Sequence, residues 1–143
     1  MADNVNHPPH YTAHASGHEA VDICEHMNFN LGNAVKYLWR HSHKGAPKED
    51  LKKCAWYLRR ERERLMKRGL LRTLVDWIRQ RHLDPVVLSA IEDVYRVDPG
   101  ILGQVLMHLA EMPPAIEGAL ELVEEFIRMR EQSEKTATEE TVN

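Results

Sequence analysis

Apolar residues recur three and four positions apart through most of this chain, and that period is the feature that most narrows its fold. Ala20, Ile23, Cys24 and Met27 keep it, as do Leu31, Val35 and Leu38, with Ser42 on the same side. Leu51, Cys54, Ala55, Leu58, Leu65 and Met66 continue it. Such spacing lines up one stripe of a helix, which then has a face to bury. The expected class is all-α: a compact N-terminal module of about three helices with an extended arm, followed by a bundle of short helices.

Turn and cap residues divide the chain. Residues 1–16 are polar, and Pro8 and Pro9 argue against helix there, so an extended arm is expected. A helical module fills 17–69. Its first helix is expected over 17–27. The second spans 31–43, with Asn30 accepting an orphan backbone N–H as N-cap. The third spans 47–68, opened by Pro47 with Glu49 and Asp50 at its positive end and stopped by Gly69. An extension over 70–132 reads as short helices near 70–82, 85–96, 99–111 and 114–131. Asp84-Pro85 and Asp98-Pro99 look like N-caps followed by a first-turn proline, and Pro113 recurs at the same step. Leu102, Val105, Leu106 and Leu109 form one of its stripes. Residues 133–143 are polar and are expected to be a disordered tail.

With 43% apolar and 29% charged residues, the chain has the composition of a globular protein rather than a disordered one. No apolar leader opens it and no run reaches membrane length, so the cytoplasm is the expected compartment. Cys24 and Cys54 lie in apolar surroundings without CxxC spacing and read as core thiols. Charge is uneven: residues 1–69 hold 12 Lys and Arg against 8 Asp and Glu, and residues 70–143 hold 7 against 14. Either the N-terminal half meets something anionic or the halves are two unrelated solvated surfaces.

Four stretches could carry chemistry. They are the arm His7-Pro8-Pro9-His10-Tyr11, the carboxylates Glu19, Asp22 and Glu25, the run Gly32 to Arg40, and the run Asp50 to Arg60. Asn33, Lys36, Tyr37, Arg40 and Lys44 share one helix face, and Lys53, Trp56, Tyr57 and Arg60 share another. Arg grips phosphate as a planar fork and Lys as a point charge, while rings beside cations suit a base. Tyr37, Trp39, Trp56 and Tyr57 are interleaved with those cations, although Trp39 and Trp56 equally suit helix packing. Glu19, Asp22 and Glu25 suit Mg²⁺ held between phosphates. His10 and Tyr11 are expected to fold over the ligand. Arg59 to Arg68 reads as a surface face with Glu61 and Glu63 as partners one turn away. The chain lacks GxxxxGK[ST], GxGxxG, GxSxG and HExxH, so phosphate chemistry would rest on helices and side chains.

The ordered positions His7, Pro8, His10, Tyr11, Glu19, Ala20, Asp22, Gly32, Asn33, Lys36, Tyr37, Leu38, Arg40, Asp50, Leu51, Lys53, Trp56, Tyr57, Leu58 and Arg60 resemble the phage-encoded family called domain of unknown function 3310, or SaV-like. Cys54 stands where that pattern usually has Ala. The resemblance implies a phage protein acting in the cytoplasm of a bacterial host. It also implies a nucleotide-binding protein. One member is regarded as a kinase that phosphorylates deoxynucleoside monophosphates without a P-loop, and other members are linked to host abortive infection. On that reading Lys36, Arg40, Lys53 and Arg60 hold phosphates, and Asp22, with Glu19 or Glu25, holds Mg²⁺ or orients the acceptor. His10, Tyr11, Asn33, Tyr37, Trp56 and Tyr57 contact base or sugar, a nucleoside triphosphate is the donor, and subunits of a homo-oligomer share sites. Two other readings stand beside it. One is a non-catalytic protein that binds a host factor through the acidic C-terminal half. The other is a nucleic-acid binder using the basic third helix, which the negative net charge and the lack of a known motif disfavour.

Overall fold

The computed structural model describes residues 5–43, 45–69, 85–111 and 115–142. Among them are seven helices and no strand: α1 (Pro9–Thr12), α2 (Ala20–Cys24), α3 (Phe29–Arg40), α4 (Pro47–Arg68), α5 (Pro85–Val97), α6 (Ile101–Ala110) and α7 (Ile116–Val142). The all-α expectation holds. No described helix is long and apolar enough to cross a membrane.

Several boundaries differ from the sequence reading, each for a local reason. The arm is not wholly extended: Pro9 stands at the first turn of α1, where its missing N–H costs nothing. The first long helix shrinks to α2, because Glu19 and Asp22 form a capping box that fixes its start. Asn28, not Asn30, caps α3: its side-chain oxygen accepts from the Asn30 and Leu31 N–H groups at 3.0 and 3.1 Å. α3 ends at Arg40, so Ser42 and His43 lie in the following turn. α4 has the expected bounds, with Gly69 at positive φ beyond its end. Met66, expected in the buried stripe of α4, is exposed. α6 is capped by Gly100, two residues after the expected Asp98; the Asp98 carboxylate accepts from the Gly100 N–H instead. The expected disordered tail is helical through Val142, because α7 does not break where its polar stretch begins. There Ser133, Thr136 and Thr138 turn their hydroxyls back onto carbonyls four residues earlier. Lys44, the helix expected near 70–82, the Asp84 cap and Pro113 lie outside the described residues.

The core is one cluster drawn from both halves of the chain. Ile23, Leu31, Val35, Leu38, Trp39, Leu51 and Leu58 meet Val87, Ile91, Val94, Leu102, Leu106 and Val123 in it. Gly32 lets α3 close on the end of α2, since a Cβ there would stand 3.0 Å from the Cys24 carbonyl oxygen. Histidines join the module to the extension. His14, almost buried against the Trp39 ring, lies 3.7 Å from Asp98, and His18 reaches Asp93 at 3.3 Å. The buried His41 presents its ring to the edge of Phe126 on α7.

α7 lies antiparallel along α4, and charge complementarity runs the length of the contact. Lys48 pairs with Glu134, Lys52 with Glu131, Arg59 with Glu124 and Arg62 with Glu117, at 2.7 to 3.5 Å. The uneven charge of the two halves is thus partly satisfied within the chain. Arg59 and Arg62 find carboxylates 65 and 55 residues away rather than the neighbouring Glu61 and Glu63.

Candidate functional site

The face that α3 and α4 share away from α7 carries the expected rings and cations. Steps of three and four along α3 bring Phe29, Asn33, Lys36, Tyr37 and Arg40 to it, and the same steps along α4 bring Lys53, Trp56, Tyr57 and Arg60. Tyr37 is the ring about which the cations gather. Its ring is stacked on Tyr57, with centroids 5.8 Å apart and planes within 17°. Three cationic groups surround it: Arg40 at 4.7 Å from the ring centroid, Lys36 at 4.9 Å and Lys53 at 5.5 Å. Trp56 meets Tyr57 edge-on at 4.9 Å and lies beneath Arg60 at 5.7 Å. Phe29 closes the row, edge-on to Tyr57 at 6.0 Å.

Two buried carboxylates of α4 clamp α3 at opposite ends of this row. At one end Asp50, 3% exposed, accepts two hydrogen bonds from the Arg40 guanidinium, at 2.9 and 3.0 Å. Arg40 also donates to the Tyr11 hydroxyl at 3.1 Å. Burial disfavours the Arg40 charge, but these bonds outweigh it and raise its pKa. At the other end Glu61, 1% exposed, accepts from the side-chain amides of Asn28 at 3.0 Å and Asn30 at 2.9 Å, and from Arg64. Burial would raise its pKa; the bonds from Arg64, Asn30 and Asn28 prevail and hold the carboxyl below its ordinary range. The sequence reading took Asp50 as a helix-end charge and Glu61 as a surface partner. It also missed Phe29. One signal pointed to Glu61: it continues the buried spacing Leu51, Cys54, Leu58.

Lys36 donates to the Asn33 side-chain oxygen at 2.8 Å, and Lys53 pairs with Glu49 on its own helix. The Glu49 bond raises the Lys53 pKa. The two tryptophans part company. Trp39 is core, 2% exposed, donating its indole N–H to the Tyr11 carbonyl at 3.1 Å, whereas Trp56 is 52% exposed on the face. Tyr11 is pinned to α3 through both its carbonyl and its hydroxyl, so it buttresses Arg40. His10 packs its ring against Tyr11 at 4.3 Å. Glu19 and Asp22 cap α2, with Glu19 also bound to His7 at 2.8 Å, and Glu25 lies 3.5 Å from His26. Among the described residues no three or more His, Cys, Asp or Glu gather to hold a metal ion. Glu19, Asp22 and Glu25 are thus not gathered into one three-ligand cluster. Burial pushes the Cys24 thiol up to about 12 against the opposing charge of Lys36, and pushes Cys54 higher still. Neither thiol is a nucleophile at neutral pH.

The comparisons with known proteins bear on this half of the chain. No curated protein and no solved structure matches it. A family model described as "Protein of unknown function (DUF3310)" matches residues 5–59. That span holds the arm, α1 to α3 and α4 as far as Arg59, and so all of the ringed face except Arg60. Over residues 5–59, well under half of its length, the chain is similar to the DUF3310 family.

Proposed function

We propose that the α3–α4 face binds a nucleoside phosphate and that the protein transfers a phosphoryl group from a nucleoside triphosphate to a deoxynucleoside monophosphate. One observation carries the reading: an aromatic ring, Tyr37, with three cationic groups around it and a second ring, Tyr57, stacked on it. Rings take a base and cations take its phosphates. The family resemblance supplies the reaction class. Phosphoryl transfer asks of the protein mainly positioning and charge neutralisation, which side chains on helices can provide without a glycine-rich loop.

The roles follow from the partners each residue already has. Arg40 is committed to Asp50 and Tyr11, so it steadies the Tyr37 ring and adds positive potential rather than gripping phosphate. Lys36 and Lys53, whose present partners are a neutral amide and an exposed Glu49, are the groups that exchange them for phosphate oxygens. Trp56 and Tyr57 take the base and Asn33 the sugar. Mg²⁺ arrives with the triphosphate.

The test is to incubate the protein with Mg²⁺, ATP and each deoxynucleoside monophosphate and to follow diphosphate formation, alongside thermal shift with each nucleotide. Turnover that falls at least tenfold in Lys36→Ala and Lys53→Ala, with folding intact, supports the reading. No turnover and no thermal shift with any nucleotide overturns it.

A further inference from the structure

We infer that the same α3–α4 face also takes single-stranded nucleic acid, with successive bases laid along its rings. The inference rests on reading the face as a base-and-phosphate surface and names the ligand that its shape suits.

Three observations carry it. The first is exposure. Phe29 is 75% and Trp56 52% exposed, on an open surface across which a strand can lie. The second is extent. Phe29, Trp56 and Tyr37 each adjoin Tyr57, at 4.9 to 6.0 Å. Phe29 and Tyr37 are eight residues apart on one helix, about 12 Å of rise, which exceeds the footprint of one base. The third is the placing of charge. Arg60 lies over Trp56, and Lys36 and Lys53 lie over Tyr37, so cations stand beside the rings at two separate points. A row of stacking platforms beside a row of cations is how proteins hold single strands without reading sequence.

The negative net charge does not oppose this. Glu117, Glu124, Glu131 and Glu134 are drawn to the opposite side of α4 by Lys48, Lys52, Arg59 and Arg62. The carboxylates at the ringed face are bound too: Asp50 to Arg40, Glu49 to Lys53, and Glu61 to Arg64, Asn28 and Asn30.

The experiment measures binding of fluorescein-labelled oligodeoxythymidylate of about eight nucleotides by anisotropy, with oligouridylate and a duplex of equal length in parallel and thymidine monophosphate by calorimetry. The full chain is used, at several salt concentrations. Either single strand should bind at least tenfold more tightly than the duplex and than the monophosphate. Affinity should fall with salt on a logarithmic slope of about −1.5 to −2, as for two or three phosphates contacted. Trp56→Ala and Phe29→Ala, at exposed positions, should each weaken the strand about tenfold, while Arg62→Ala on the α7 side leaves it unchanged. A monophosphate that binds as tightly as the strand overturns this inference and leaves the nucleotide reading intact. A strand that binds while the monophosphate produces no signal and no turnover supports the inference and overturns the kinase reading. Equal strand affinity in Trp56→Ala, Phe29→Ala and wild type overturns it as well.

Discussion

Helix α4 presents Lys and Arg on two sides, and the two sides differ in what meets them. Toward α7, Lys48, Lys52, Arg59 and Arg62 each reach a glutamate of the same chain. Toward α3, Lys53 and Arg60 stand over rings, joined there by Lys36 and Arg40. A count of basic residues treats the sides alike. Their partners distinguish them: carboxylates of another helix at matching intervals make a structural seam, whereas on the ringed side Lys53 and Arg40 share themselves between a carboxylate and the Tyr37 ring. The energetics differ too. The seam pairs are partly exposed and screened, while the carboxylates that frame the ringed face, Asp50 and Glu61, are buried.

That contrast can be broken first at the buried carboxylates. Glu61→Ala leaves two amides and a guanidinium without their acceptor and should cost about 3 kcal/mol of unfolding free energy, read by denaturant titration. Asp50→Ala, which strands Arg40, should cost about as much. A loss under about 1 kcal/mol for both would place them with the seam pairs. Next in size is the response to acid. Glu61 has a folded-state pKa below its unfolded value of 4.5, so its stabilisation is present above that value and is lost as pH falls through the folded one. Burial, chiefly, lowers the pKa of His41 from 6.5, against the Leu38 carbonyl that favours its charge. The unfolded chain therefore takes up the His41 proton first, and stability declines as pH drops below about 6.5. Thermal melts across pH 7 to 3 should show two descending steps, with Glu61→Gln removing most of the lower one. The smallest effect belongs to the seam. A double-mutant cycle on Lys52 and Glu131 should give a coupling of about 0.5 kcal/mol that shrinks further in salt.

Much of this was legible in the sequence. The period of three and four gave the helices, and the bounds of α4 were marked by Pro47 and Gly69, residues whose backbone behaviour is local. The ringed face was legible too, because Lys36, Tyr37, Arg40, Lys53, Trp56 and Tyr57 need only helical geometry to converge. What escaped is what depends on the second partner. Asp50 and Glu61 look like ordinary helix carboxylates until α3 is laid over them. Trp39 and Trp56 look alike until one of them meets Tyr11. The polar end of α7 looked like a tail because the cations that pair with Glu131 and Glu134 lie some eighty residues earlier in the chain. The short α1 is not legible because a proline pair reads as a bar to helix, whereas the second proline in fact opens one.

The clamps at the two ends of α3 have a mechanical consequence. A helix bound at one end can slide or pivot along its neighbour. One bound at both, through Asn28 and Asn30 to Glu61 and through Arg40 to Asp50, cannot advance by a turn without tearing both fastenings at once. The separation of the rings is therefore a fixed ruler, set before any ligand arrives. Association with this face then freezes little of the backbone. A ligand whose aromatic units repeat at another interval has to adapt itself to the protein rather than the reverse.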